Sequence, residues 1–494
     1  MKIAYKLISL ILAFLLLIPT FTACDSASSN EESTTAPAES ISENISVESD
    51  SETDEAVLAP RPENNYDTDF FLLIHGDSNK FEYHWVEESA NDVLSQAIFD
   101  RQQKVYNHLG VSIVGTQALS TSNYIEPFKT TVKNKDGSID TLLTHVYHGI
   151  DGFVTENYLT DFESIPEINL DADYWNKGIM DECAFNDKYY LAKSDFNILY
   201  TYAVVFNKDI LDKYDDALNE SLYDLVTSYR WTLDRMIDIS KLVYIDNAGD
   251  GKTIDDTFGI MGEQNVPFIG FLNACNVNLI EMNEKGEYAV SAYNDVNKAK
   301  TTAIVEKLKE LAGSDYAWFW PWASTEKISF QDGTSLLTLL STNSLPDLLN
   351  YDINFGVLPY PMFDESQKDI GYRSLQWGGY TCVPSYVRDL TMVGDTLEML
   401  SFYSEDVNTA FYEKLLGKQV AESPLDKQML EIIWDSICTD FAQTYFSAFS
   451  GSQILYMVPE LTKADTTKAL SSYMASTEKS VNKILKKLAV ASGN

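Results

Sequence analysis

The alternation of apolar and polar positions sets out the body of this chain. Phe70–Ile74 is an unbroken apolar run, the pattern of a strand covered on both faces. From Asp92 to Leu109 the apolar residues Val93, Leu94, Ala97, Ile98, Val105 and Leu109 fall on one helical stripe, and Gly110 stops it. Val111–Val114 reads as a second strand, Ile139–Tyr147 as a helix, and Ile150–Val154 as a third strand. A second unit opens with strand-like Ala203–Phe206, followed by a helix start at Asn207-Lys208-Asp209-Ile210-Leu211. Thr232 is placed to cap a helix over Leu233–Val243. Lys298–Ala312 is amphipathic, with Ile304, Val305, Leu308 and Leu311 on one face. Phe355–Leu358 is a further strand before Pro359 and Pro361. The chain closes on a Lys-studded helix carrying Val481, Ile484, Leu485 and Leu488. Strands alternating with helices imply parallel sheets covered by helices.

The N-terminus follows a different grammar. Lys2 and Lys6 precede the apolar run Leu7–Ile18, which is too short for a permanent membrane span. Phe21-Thr22-Ala23-Cys24 resembles the bacterial lipobox, with Phe21 where Leu is usual. That resemblance implies cleavage before Cys24 and a diacylglyceryl thioether on its sulfur. Two acyl chains hold a membrane stably where one does not. The expected location is therefore the outer face of the cell membrane, through a lipid anchor. From Asp25 to Glu55 there are ten acidic residues, nine serines and no Lys or Arg. Such a segment cannot bury enough apolar surface to offset its ordering entropy. As a coil to Asn64 it would reach about 35 Å, so it reads as a spacer.

Length and charge narrow the function. A chain of 494 residues exceeds one compact core, so two domains are expected. The net charge is −38. Nucleic acid is excluded as a partner, since phosphate contacts need clustered Lys and Arg. Polyanionic ligands are disfavoured, while a neutral or cationic solute is compatible. Cys183, Cys275, Cys382 and Cys438 are spaced too widely and irregularly for a CxxC site; an exported protein could pair them, and buried free thiols are the preferred reading.

Several motifs are weighed against composition. Asp246, Asp250 and Asp255 fall in a stretch resembling a calcium loop, with Gly251 at its sixth position. Ala248 and Thr257 stand where two further ligands belong, so an acidic turn without metal is the favoured reading. His145 and His148 could share a helical face, but no nearby Cys completes a metal set. The chain has no HExxH, GxSxG or GxGxxG. Among 74 carboxylates some close pair is inevitable, so acidic pairs do not argue for a glycosidase. No cofactor is expected.

An ordered set of segments adds a family likeness. Ala97-Ile98-Phe99-Asp100-Arg101 with Val111-Ser112-Ile113, Tyr174-Trp175, Val205-Phe206-Asn207-Lys208-Asp209-Ile210-Leu211, Arg230-Trp231-Thr232-Leu233-Asp234, Phe330 to Gly333, Phe355-Gly356-Val357-Leu358-Pro359 and Gly378-Gly379-Tyr380 occur in sequence. Together they resemble the sugar-binding type of extracellular solute-binding protein that serves ABC importers. Arg230 stands where Pro is usual, and Ser335-Leu336 where Ala-Met is usual, which points to a divergent branch.

The resemblance implies a two-lobed, periplasmic-binding-protein-like α/β fold, each lobe a mostly parallel sheet flanked by helices, with the ligand cleft between them. Lobe one would span 65–199 plus roughly 381–430, and lobe two 200–380 plus roughly 431–494, after a 1–23 signal peptide and a 24–64 tether. It further implies capture of a sugar or oligosaccharide, delivery to an importer permease, no catalysis and a monomer. A glycan-acting hydrolase or a peptide-binding relative is the alternative.

Sugar rings stack their apolar faces on aromatic planes, so aromatics lead the candidate site. Trp377 precedes two glycines at the proposed crossover. Trp320 and Trp322 flank Pro321 in a dense aromatic cluster, Trp318 to Trp322, that reads as a loop or strained turn. Trp85, Tyr158, Tyr200 and Tyr380 lie at loop or crossover positions, and Asn343 offers an amide that could bond hydroxyls both ways.

Overall fold

The structure is a computed structural model. It describes residues 64–491 apart from 76–80, 90–91, 119–123, 148, 199, 215–217, 219, 322–323, 325–329, 417–422 and 464–465. The expectations for the signal segment, Cys24, the acidic tether, His148 and Trp322 lie outside the described residues.

The principal strands, in chain order, are β1 (Thr68–His75), β2 (Val111–Ala118), β3 (Thr141–His145), β4 (Tyr202–Asn207), β5 (Thr257–Glu263), β6 (Ala317–Trp320), β7 (Ser335–Ser341), β8 (Phe355–Leu358) and β9 (Gly379–Cys382). They form two sheets. The first runs β9-β3-β1-β2, with β1 parallel to both neighbours and β9 antiparallel to β3. The second contains β8-β4-β7-β5, and β6 pairs with β5. Its β7, β5 and β6 run parallel, while β4 runs against β7 and β8. These are the two lobes of a periplasmic-binding-protein-like α/β fold.

Local chemistry places several elements where the pattern put them. Helix Val93–Leu109 starts where Asp92 accepts from the Ser95 N–H, and ends where Gly110 takes φ 66°. A side chain at Gly110 would also collide with Asn65, 2.2 Å away. Thr232 caps Leu233–Ser240 by accepting from Arg235 N–H, and Asn207 caps Lys208–Leu211 through Ile210 N–H.

Two readings are corrected. The segment Thr141–His145 is a strand, and Ile150–Thr155 is a helix, the reverse of the expected assignment. β3 lies between β1 and β9, so all five residues are buried, including Thr141, Thr144 and His145. Buried polar positions counterfeit a helical period. Gly149, at φ 73°, then turns the chain into the helix. The Trp318–Trp320 stretch is also not a turn. It lies in β6, in register with Met261 to Glu263 of β5, and Pro321 follows at the strand's end.

Helices Leu390–Phe402 and Glu405–Leu416 pack on Val93–Leu109 of lobe one. Helix Pro424–Asp435 instead packs on β8 and on Leu222–Thr227. Asp426, 1% exposed, accepts there from Lys208 Nζ at 2.6 Å and Tyr223 Oη at 2.5 Å. Cys183, Cys275, Cys382 and Cys438 are buried free thiols, and burial raises each above the ordinary thiol range.

Candidate functional site

Three crossing segments join the lobes. Ala192 bridges Thr381, Thr201 bridges Gln376, and Ser374-Leu375 pairs with Ile437-Cys438. Trp377 N–H donates to Tyr200 O at 3.0 Å and Gln376 N–H to Cys438 O at 2.9 Å, which ties all three together. The carboxyl ends of β1, β3, β5 and β6 carry His75, His145, Glu263 and Trp320, and β4 enters beside the crossings at Tyr202. Open α/β sheets bind ligands beyond such strand ends.

Aromatic side chains gather at this point. Tyr147, just past β3, stacks on Trp377 with centroids 5.7 Å apart and planes 23° apart. Its other neighbours are His145 at 4.9 Å and, edge-on, Phe446 at 4.4 Å. Tyr202 meets Trp377 edge-on at 6.3 Å, and Tyr456 meets Phe446 at 5.8 Å. Trp377 and Phe446 are buried, whereas Tyr147, Tyr202, Tyr456 and Glu263 each keep part of their surface open. The Tyr147 hydroxyl is pushed well above its ordinary value by burial, then by Tyr202, Tyr456, Tyr200 and Glu263. Tyr200 Oη is hydrogen-bonded to His145 Nε2 at 3.2 Å. The Trp377 indole N–H has no hydrogen-bond partner among the described residues. Ser447 donates to Asp151 of lobe one's helix Ile150–Thr155, which places the Phe446–Phe449 turn against that helix.

Beneath the wall lies a polar layer. Tyr380 Oη is hydrogen-bonded to Gln376 Nε2 at 2.7 Å, Thr444 at 3.1 Å, Thr439 at 3.2 Å and Cys183 at 3.3 Å. Lys193 is fully buried, with Nζ 5.0 Å from the Tyr380 ring centroid and no hydrogen-bond partner among the described residues. Burial lowers its amine to about 7. A Cβ on residue 378 would come within 2.9 Å of that amine, so a side chain there would push the end of Lys193 aside.

The expected site residues separate into groups. Trp377 and Tyr200 lie in the aromatic wall, and Trp320 ends β6 opposite Glu263 in the register. Asn343 sits in the turn after β7, where Thr342 N–H donates to Thr201 O at 2.8 Å. Tyr380 belongs to the buried layer and presents no surface. Trp85 lies over Gly115 of β2 and donates to Ile113 O at 2.8 Å, a packing role within lobe one. The Tyr158 ring is covered by Lys129 and Lys133, at 5.4 and 5.6 Å, which again gives it a packing role.

The stretch that resembles a calcium loop is a tight turn. Asp246 accepts from the N–H groups of Gly249 at 2.6 Å, Gly251 at 2.9 Å and Asp250 at 3.2 Å. The Gly251 N–H leads in holding this carboxyl below its usual range. Asp246 thus directs its carboxylate at the backbone of its own turn, while Asp250 and Asp255 lie in the same stretch.

Tyr147, Tyr202, Phe446, Tyr456, Glu263 and Lys193 were not foreseen. Tyr202 was within reach, since it shares a strand face with Tyr200. Tyr147 was hidden by the helix assigned over it. Phe446 and Tyr456 arrive from a part of the chain that carries no local signal.

No curated protein matches the chain. Among solved structures it resembles the GacH receptor of Streptomyces glaucescens GLA.O, solved unliganded and with acarbose, at TM-score 0.57 and 14% identity, covering 85% of this chain and 99% of that one. It also resembles the ABC substrate-binding protein Lmo0181 from Listeria monocytogenes, solved with cycloalternan, at TM-score 0.55 and 12% identity with the same coverage. At such identities the likeness speaks for the fold. Residues 103–418, well over half the chain, match the family model of bacterial extracellular solute-binding proteins, and it is to this family that the chain belongs.

Proposed function

We propose that this protein captures a carbohydrate between its lobes and delivers it to the permease of an ABC importer. The observation that carries the reading is the aromatic wall, with Tyr147 on Trp377 and Tyr202, Phe446 and Tyr456 around them. It lies beyond the strand ends and beside the three crossings. Flat apolar faces accept the C–H face of a pyranose, and the Trp377 N–H is a donor for a ring or hydroxyl oxygen. The acarbose and cycloalternan complexes of the two similar receptors support the same ligand class. The family's description is that of a binding protein, which favours capture over the alternative of glycan hydrolysis.

Closure follows from the layout. Ligand touching both lobes binds the closed form better than the open one, and so shifts the population toward it. Cys24 anchors the protein to the outer face of the cell membrane, the acidic tether spaces it from the bilayer, and it works as a monomer. A thermal-shift screen of mono-, di- and oligosaccharides, with peptides and polyamines as controls, tests the reading. A ligand at a hundred times its Kd adds about 2.7 kcal/mol, a readily measured shift. Stabilisation by peptides alone would replace the carbohydrate reading with a peptide-binding one.

A further inference from the structure

The Lys-studded helix that closes the chain takes no part in the site. It runs from Leu470 to Ala491 and packs on strand Tyr288–Val290 and on the Phe446–Phe449 turn. Tyr473, Met474, Thr477, Val481 and Leu488 form its buried side. Lys479, Lys483, Lys486 and Lys487 are all exposed. At 3.6 residues per turn these four fall within an arc of about 100°, on the side away from the buried residues, and span about 12 Å of helix. Glu478 is the helix's one acidic residue and lies off that arc.

This face reverses the sign of the chain that carries it, whose net charge is −38. Exposed charges act over about 8 Å at physiological ionic strength, so an approaching surface feels the local sign. The helix dipole accounts for part of the pattern only. It rewards cations in the last turn, and Lys479 and Lys483 lie about three and two turns from the end. A row of point charges on a convex helix encloses no small anion. It matches a broad anionic sheet, to which each lysine is drawn separately. The lipid anchor proposed at Cys24 would keep the body near such a sheet, on a tether reaching about 35 Å.

The geometry points to a docking face: Lys479, Lys483, Lys486 and Lys487 seat the body on the headgroups of an anionic phospholipid bilayer. This goes beyond the carbohydrate reading and does not depend on it.

The test places the whole chain on vesicles of phosphatidylcholine alone and of phosphatidylcholine mixed with phosphatidylglycerol, and reads the acylation rate of each lysine by mass spectrometry. The four lysines should acylate at least about fivefold more slowly on the phosphatidylglycerol vesicles, the scale of one lysine held at an anionic surface. Lys104 and Lys177, exposed on lobe one, should not change, and high salt should remove the protection. The combined Lys479→Gln, Lys483→Gln, Lys486→Gln and Lys487→Gln variant should melt as the parent does. It should also lose the rise in energy transfer, from its tryptophans to a headgroup dye, that the parent shows on phosphatidylglycerol. Equal acylation on both vesicles, protection that extends to Lys104 and Lys177, or protection that survives high salt overturns the inference. Protection on phosphatidylcholine that grows with protein density makes the occupant a second copy, and protection by soluble polyphosphate but not by phosphatidylglycerol makes it a free polyanion; either overturns it too. Retention on phosphatidylcholine vesicles at high salt reads the Cys24 anchor alone, which separates loss of the anchor from loss of the docking face. The parent's acylation rates decide the matter even if the variant fails to fold.

Discussion

Replacing Lys193 with methionine should stabilise this protein, and should do so most at low pH. The amine is fully buried at the crossings and lacks a hydrogen-bond partner among the described residues. Its value falls from the ordinary 10.5 to about 7, which corresponds to a cost of about 5 kcal/mol for the charged form. The Tyr380 ring, 5.0 Å away, returns about 2 kcal/mol that methionine gives up in part. A net gain of about 3 kcal/mol is therefore expected at pH 6. The sign with pH follows from linkage. Below about 7 both states hold the proton and the full cost is present. Between about 7 and 10.5 the unfolded chain binds more protons than the folded one, so the parent gains stability as pH rises. Lys193→Met has no such group, so its advantage should shrink by about 3 kcal/mol between pH 6 and pH 9. Urea melts of parent and variant at four pH values measure this directly. A variant less stable than the parent at every pH, or an advantage independent of pH, would show that the amine is paired or hydrated and would refute the reasoning.

Three other outcomes are expected. Trp377→Ala should weaken sugar binding by roughly thirtyfold and, because the side chain is 2% exposed, also cost about 3–5 kcal/mol of stability; titration and melting checked on the same sample separate the two effects. Cys24→Ala should release soluble protein or leave precursor in the membrane, read by fractionation, while a chain starting near Asn64 should keep the parent's melting temperature. Asp440→Ala strips the acceptor from the N–H groups of Leu279 at 2.6 Å, Ala442 at 2.8 Å and Gln443 at 3.4 Å, and should cost about 2–4 kcal/mol in a denaturant melt.

Much of the frame was legible because local chemistry and global fold agree in it. Gly110 ends its helix, while Thr232 and Asn207 start theirs, for reasons present within four residues of each position. The segment 139–154 failed because β3 is buried on both faces, and its polar Thr141, Thr144 and His145 erased the strand signature. The site was legible only in part for a related reason. Trp377 and Tyr200 could be placed from the paired glycines and the second lobe's opening strand. Their partners Tyr147, Phe446 and Tyr456 meet them only after three separate crossings have folded. Tyr380 misled because adjacency to Gly378-Gly379 places it at the crossover, while strand alternation turns its ring into the buried layer.

The most direct test of the central claim, that the two lobes close on a carbohydrate at the Tyr147–Trp377 wall, is small-angle scattering of a chain starting near Asn64, with and without the sugar that stabilises it most. The account predicts that saturating sugar reduces the radius of gyration, and that Trp377→Ala requires a far higher concentration for the same change. A sugar that binds tightly and leaves the radius of gyration unaltered in the parent would contradict it.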